Sequence, residues 1–239
     1  MKYNKEAEIT ILDGWKPIAA IIAFDIFLTL LILLFGNTEV FLLINQGLQI
    51  HQLDPFIALI SNFGGILLIA GGILIFTLDY KYKSIGALTL MIIGFWLAIF
   101  LGYTLKTYFD ILRPYYQIAY TRTLIYTTPN LGGSFPSSHA LISFFIWTII
   151  SVKAKKYSIP TLIAASLISF GRVYVGVHYP LDITCGILIG VLLGVAILSL
   201  EVVAKRLSGD RKNSSNIKDK PRLKINFKMV KFHVKAAYV

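Results

Sequence analysis

Three short stretches of this sequence hold side chains suited to gripping an anion and moving a proton. The first is Lys106, then six residues, then Arg113-Pro114. The second is Pro136-Ser137-Ser138-His139, and the third is Gly171-Arg172 with His178 and Asp182 following. Three cations converging on one place call for an anion, and the planar fork of arginine suits phosphate oxygens. Ser137 and Ser138 stand where an apolar run begins, and a helix N-terminus there offers free N–H groups and the positive end of its dipole. The two histidines divide the remaining labour. His178 and Asp182 are four apart, so the carboxylate can hold one imidazole nitrogen, fix the tautomer and leave the other nitrogen free to attack. Pro180 between them fits the first turn of a helix. His139 is then placed to protonate the leaving oxygen. Each piece alone has a plainer reading: a lone histidine at a helix end is commonly structural, and Arg-Pro alone marks a helix exit.

The elements that must position these residues are apolar. The chain has 239 residues, 56% of them hydrophobic and 15% charged, with a mean hydropathy of +0.71. That excludes a disordered chain and argues against a soluble enzyme. One cysteine, Cys185, excludes an internal disulfide framework and a multi-cysteine metal site. The net charge of +11 is not spread over a surface: 201–239 holds 11 Lys/Arg and 3 Asp/Glu, hence +8 of it, which argues against nucleic acid as partner. Six runs are candidates for membrane spans, 17–35, 55–77, 84–105, 137–152, 159–177 and 182–203, the fourth of them short. No cleavable signal peptide is evident, so the first run is read as a retained helix. Lys81 and Lys83, then Lys153, Lys155 and Lys156, then the basic tail fall on one side of a six-span bundle, which the positive-inside bias assigns to the cytoplasm together with both termini. The other side carries Lys106, Arg113, Arg122 and Arg172 as its only lysines and arginines, and all three stretches meet there.

With that topology the three stretches resemble the type 2 phosphatidic acid phosphatase superfamily, which includes bacterial acid phosphatases, glucose-6-phosphatase and vanadium haloperoxidases. The resemblance covers roughly 100–190. Lys106, Arg113 and Pro114 match its first motif, Pro136, Ser137 and His139 its second, and Arg172, His178 and Asp182 its third. The resemblance implies an all-α bundle of six transmembrane helices and a phosphatase needing neither metal nor cofactor. By it, His178 is the nucleophile that forms a phosphohistidine, Asp182 orients it, and His139 serves as acid and then as base for water. Lys106, Arg113, Arg172, Ser137 and nearby backbone amides hold the phosphoryl oxygens. Two positions depart from the pattern. Ser138 replaces the usual glycine, with a hydroxyl that either narrows the approach to phosphate or contacts it. Gly171 replaces the usual serine, so one hydroxyl is missing.

A cationic pocket at the membrane surface suits a phosphate whose remainder lies in the bilayer. The expected activity is therefore hydrolysis of a lipid phosphate or diphosphate. Small six-span members of the family often act on polyprenyl diphosphates such as those of undecaprenol or dolichol, the first choice by resemblance. Phosphatidic acid or phosphatidylglycerophosphate is the alternative substrate, and phosphotransfer to an alcohol or a non-catalytic membrane role are the alternative classes.

The phosphatase domain is expected over 1–204 and a basic cytoplasmic tail over 205–239, attracted to anionic headgroups. The tail's alternation from 222 to 235 suggests an extended surface segment. The run 36–54 is expected to form a short interfacial helix. Asp25, mid-span, is read as a structural carboxylate facing the bundle interior, paired with a hydroxyl. Arg122 is expected at the surface, and Tyr115 and Tyr116 in the interfacial aromatic belt. Gly132-Gly133 are read as a flexible loop, and His51 and His233 have no assigned partner.

Overall fold

A computed structural model describes the backbone of residues 3–79, 81–124 and 132–218, and the side chains of 15–79, 81–124 and 132–204. The described residues are helical, with no strand among them. In chain order the α-helices are α1 (Tyr3–Phe35), α2 (Asn37–Leu42), α3 (Asp54–Leu78), α4 (Ile85–Phe109), α5 (Pro114–Gln117), α6 (Ser138–Lys153), α7 (Ser158–Tyr174) and α8 (Pro180–Lys218). A π-helical turn, Leu43–Gly47, continues α2, and a 3-10 turn, Lys155–Tyr157, precedes α7. The expected short helix within 36–54 is thus present. The 222–235 segment lies outside the described residues. The chain divides into two compact units, Met1–Ser199 and Leu200–Val239. The described backbone of the second is helical through Lys218.

Local chemistry sets the helix ends. Ser84 caps α4 by accepting from the Ala87 N–H at 3.1 Å, and Ser137 caps α6 through the Ala140 N–H at 3.5 Å. Proline occupies the first turn of α3 and opens α5 and α8, where its missing N–H costs nothing. Asp110 ends α4 in the left-handed conformation and returns its N–H to the Lys106 carbonyl at 3.0 Å.

Four segments are long and apolar enough to cross a bilayer: Trp15–Phe35, Asp54–Leu78, Ile85–Gln117 and Pro180–Ala204. At 16 and 17 residues, α6 and α7 are only about 24 and 26 Å long, against an apolar thickness of about 30 Å. The six-span expectation is therefore met by length and apolarity in four cases. The physical difference lies in surroundings. Leu141, Phe145, Ile146, Trp147, Ile149 and Ile150 of α6 are all fully buried, so this helix is wrapped by protein, whereas α1, α3 and α4 expose many large apolar side chains.

In a lipid setting apolar burial drives helices together only weakly, and close approach through small residues replaces it. Gly186, Gly190 and Gly194 form such a seam on α8. A Cβ on Gly186 would stand 2.7 Å from the Ser137 carbonyl oxygen, one on Gly190 would run into the Leu141 carbonyl, and one on Gly194 would stand 2.7 Å from the Thr148 Cβ. The seam brings the start of α8 against the start of α6. Asp25 faces the interior at 3% exposure, and its Oδ1 has no hydroxyl or other hydrogen-bond partner among the described residues.

Gly190→Val should force α8 off α6. Overpacking of about 1–3 kcal/mol at about 2–4 °C per kcal/mol lowers the thermal midpoint of the detergent-solubilised protein by several degrees. Gly71→Ala, where an added Cβ meets nothing within 4 Å, should leave the midpoint unchanged or slightly raised. Equal midpoints for the two variants would contradict the seam.

Candidate active site

All three motif stretches lie at one end of the bundle, where α4 and α7 finish and α6 and α8 begin. Their first common feature is how the cations are held. The Lys106 ammonium donates to the carbonyls of Gly133 and Ser134 at 2.9 and 3.0 Å. Arg113 donates from Nε to the Gly132 carbonyl at 3.1 Å and from Nη1 to the Val177 carbonyl at 3.2 Å. Arg172 donates from Nη1 to the Ser61 carbonyl and hydroxyl and to Asn62 Oδ1, at 3.0, 3.1 and 3.3 Å. Arg113 is 5% and Arg172 3% exposed. None of the three makes an ion pair with a described carboxylate, and the buried Arg172 Nε has no hydrogen-bond partner among the described residues. Carbonyl contacts orient these cations without neutralising them.

The loop that supplies these carbonyls is fitted rather than loose. A Cβ on Gly133 would stand 2.8 Å from the Lys106 carbonyl oxygen, so only glycine lets the loop lie against the end of α4. The Ser134 N–H then reaches the Ile111 carbonyl at 2.6 Å. This replaces the reading of Gly132-Gly133 as a flexible loop.

His178 is 1% exposed. Its Nδ1 faces Asp182 Oδ2 at 3.2 Å, which assigns the proton to Nδ1 and leaves Nε2 with its lone pair free. The same carboxylate oxygen accepts the Tyr179 N–H at 2.8 Å and the Ser134 hydroxyl, which also stands 3.4 Å from His178 Nδ1. Burial holds the imidazole pKa well below its ordinary 6.5, and Lys106, Arg172 and Arg113 push it further down. His178 is therefore neutral, the form a nucleophile needs. The backbone fixes it too: the Arg172 carbonyl accepts the N–H groups of Val177 and His178 at 3.1 and 3.3 Å. Gly176, at φ +83°, makes that turn, with Arg122's carbonyl 2.5 Å from where a Cβ would stand.

The second stretch joins the third through main chain, the Ser137 N–H donating to the Asp182 carbonyl at 2.9 Å. Ser137 is fully buried and its hydroxyl caps α6. His139 is half-buried in the first turn of α6, in the field of Arg172, His178, Lys106 and Arg113. Gly65 of α3 faces it, a Cβ there standing 3.9 Å from the ring.

Both departures from the family pattern have a counterpart in the packing. The Ser138 hydroxyl turns toward α4 and would stand 3.0 Å from a Cβ on Gly102, so the added side chain is housed where α4 has none. Beside Gly171, a Cβ would stand 3.1 Å from the Ser61 Cβ. Ser61 thus packs against this place, and its hydroxyl accepts from Arg172. Arg172 therefore has a hydroxyl partner from α3 beside the position where α7 carries glycine.

Ser134, Ser61 and Asn62 were not among the sequence candidates. A Ser-Asn pair within the apolar run of α3 was the only available signal for two of them. Arg122 also differs from its expected surface role. It pairs with Asp54 at 2.7 Å and lies 4.6 Å from the Tyr174 ring, whose hydroxyl donates to the same Asp54 oxygen at 2.7 Å. Asn45 bridges the Arg122 and Tyr174 carbonyls, both at 2.9 Å. This network ties 36–54 to the end of α7, two residues from Arg172. The expected partnerless His51 lies 3.3 Å from Asp54 Oδ2. Among the described residues no cluster of His, Cys, Asp and Glu is arranged to hold a metal.

Because protonation of His178 would remove the attacking lone pair, activity should fall only as pH drops through its lowered pKa. The acid limb of kcat/KM should therefore lie below pH 6.5. An acid limb above 6.5 in a pH–rate profile would contradict a buried, cation-flanked His178 as the group that must be neutral.

Comparison with known proteins identifies the family. The chain is 34% identical over 155 residues to undecaprenyl-diphosphatase of Sulfolobus acidocaldarius, a match covering 64% of this chain and 73% of the relative. The crystal structure of Aquifex aeolicus LpxE superposes with a TM-score of 0.59 at 31% identity, covering 68% of this chain and 94% of the other. That of a transmembrane PAP2-type phosphatidylglycerolphosphate phosphatase from Bacillus subtilis has a TM-score of 0.53 at 20% identity, covers 78% and 96%, and shares the fold. The profile of the PAP2 superfamily matches residues 86–206. That span contains every motif residue from Lys106 to Asp182, and the chain belongs to the PAP2 superfamily.

Proposed function

We propose that the protein hydrolyses a polyprenyl diphosphate at the membrane surface, releasing phosphate and the polyprenyl monophosphate through a phosphohistidine. The observation that carries this reading is a triad of cations, Arg113 and Arg172 buried and Lys106 half-buried, without described carboxylate partners beside a neutral, oriented histidine. The likeness to an undecaprenyl-diphosphatase supports the lipid class.

Lys106, Arg113 and Arg172 hold the non-bridging oxygens of the terminal phosphoryl group, helped by Ser137 and the free N–H groups opening α6. Through its own main-chain N–H, Ser138 belongs to the same set. Nε2 of His178 attacks the terminal phosphorus. The bond from phosphorus to the bridging oxygen breaks as His139, protonated once the bound diphosphate's negative charge offsets the three cations, gives that oxygen a proton, and polyprenyl monophosphate departs. His139, now neutral, takes a proton from water, the hydroxide attacks phosphorus, and the phosphorus–nitrogen bond breaks. Asp182 keeps Nδ1 protonated throughout, with Ser134 and the Tyr179 N–H holding its carboxylate. No step calls for a metal or cofactor.

Six spans, with both termini cytoplasmic and the site on the opposite side of the cell membrane, agree with the distribution of lysines between the two ends. On this reading 1–204 is the catalytic domain, and the basic 205–239 tail rests on anionic headgroups without nucleic acid.

The test is phosphate release from a polyprenyl diphosphate by purified protein in detergent with chelator present, beside phosphatidic acid as second substrate. Release should survive the chelator and favour the polyprenyl diphosphate. It should fall by about 10³-fold or more in His178→Ala. Release that persists in that variant would overturn the nucleophile assignment. Faster release from phosphatidic acid would overturn the substrate class, and a phosphorylated acceptor in place of free phosphate would identify a phosphotransferase.

A further inference from the structure

Tyr115 directly follows Arg113-Pro114 and was expected to face the interfacial belt. The structure places its hydroxyl elsewhere. The oxygen is screened from solvent and makes no hydrogen bond of good geometry with the described residues. Its ring packs against the buried cluster of Ala58, Tyr174, Val175 and Val177, the last being the residue before His178. Arg113 reaches the same strip of backbone through its bond to the Val177 carbonyl. Tyr115 and Arg113 therefore approach the nucleophile's segment side by side. The hydroxyl lies in the electrostatic field of both Arg113 and Arg172, one cation from the first stretch and one from the third. Neighbouring Tyr116, with its ring centroid 4.5 Å away, is the exposed member of the pair and fits the belt.

A buried phenol without a partner loses its hydration for nothing unless a ligand accepts its proton. In the field of two guanidinium groups, which only donate, and with the neighbouring Tyr116 hydroxyl making no hydrogen bond of good geometry to it, the natural acceptor is an anion. We propose that the Tyr115 hydroxyl is a substrate-binding donor that hydrogen-bonds a phosphoryl oxygen held between Arg113 and Arg172. This deepens the phosphatase reading and rests on it. The class of ligand is a phosphate ester or a tetrahedral or trigonal-bipyramidal mimic of one. No proton is transferred: the phenol donates a hydrogen bond to charge that the arginines have already collected.

Tyr115→Phe removes the hydroxyl and keeps the ring in its apolar cluster. Three quantities decide the matter in the purified protein: steady-state hydrolysis of polyprenyl diphosphate, orthovanadate binding by calorimetry, and the thermal midpoint. The expected result is a roughly 10- to 100-fold fall in kcat/KM, the range for a hydrogen bond to a charged group. Vanadate affinity should weaken by a comparable factor, with the midpoint unchanged. Unchanged vanadate affinity would overturn the proposal, whether or not turnover or the midpoint changes. The vanadate arm judges Tyr115 even if wild-type protein releases no phosphate, a failure that would count against the phosphatase reading instead.

Discussion

The structure depends on keeping positive charge buried without cancelling it. Lys106, Arg113 and Arg172 sit at a polar end of an apolar bundle, and each is held mainly by carbonyl or amide oxygens. A carboxylate partner would have been the cheaper solution for folding, since an unpaired buried charge costs several kcal/mol. It would also have filled the pocket. Asp182, the carboxylate nearest this end of the third stretch, is committed to His178, Ser134 and the Tyr179 N–H. The remaining imbalance is the binding energy available to a phosphate.

Meeting that constraint explains much of the packing. Carbonyls can be aimed at a cation only where helices end or loops are pressed close, and the site lies where four helices start or stop. Gly133 lets its loop lie on the end of α4, and the glycine seam of α8 brings Asp182 to the first turn of α6. The two motif departures follow the same economy of space. Gly102 makes room for Ser138, and Ser61 occupies the space left by Gly171. Further out, the Asp54–Arg122–Tyr174–Asn45 network braces the end of α7 and thereby Arg172. The bundle therefore has two kinds of polar assembly: one closed around the Asp54 carboxylate that braces, and one at the site whose cations have no described carboxylate partner.

What the sequence made legible follows from this division. Lys106, Arg113, His139, Arg172, His178 and Asp182 have distinctive side chains at fixed spacing, and the hydropathy runs put them at one end of the bundle. The partners that hold them were less legible. Main-chain carbonyls of Gly132, Gly133 and Val177 leave no mark in residue type, and Ser61 meets Arg172 across 111 positions of chain. Ser134 lay two residues before a recognised motif and read as loop. Tyr115 carried the composition of a membrane-belt residue, because amphipathic tyrosine suits both an interface and a buried donor site. Helix lengths were also misleading in one respect. The apolar runs of α6 and α7 match the other spans in character, but both helices are shorter than the apolar layer, and α6, enclosed by protein, need not match the bilayer in length.

The account rests on covalent capture of phosphate by His178. The most direct measurement is rapid acid-free quenching of the enzyme with polyprenyl diphosphate labelled in its terminal phosphate, followed by peptide mapping under alkaline conditions. The account predicts a transient label on the peptide containing His178, absent in His178→Ala. Turnover with no enzyme-bound label, or with label on His139 or any other residue, would contradict it.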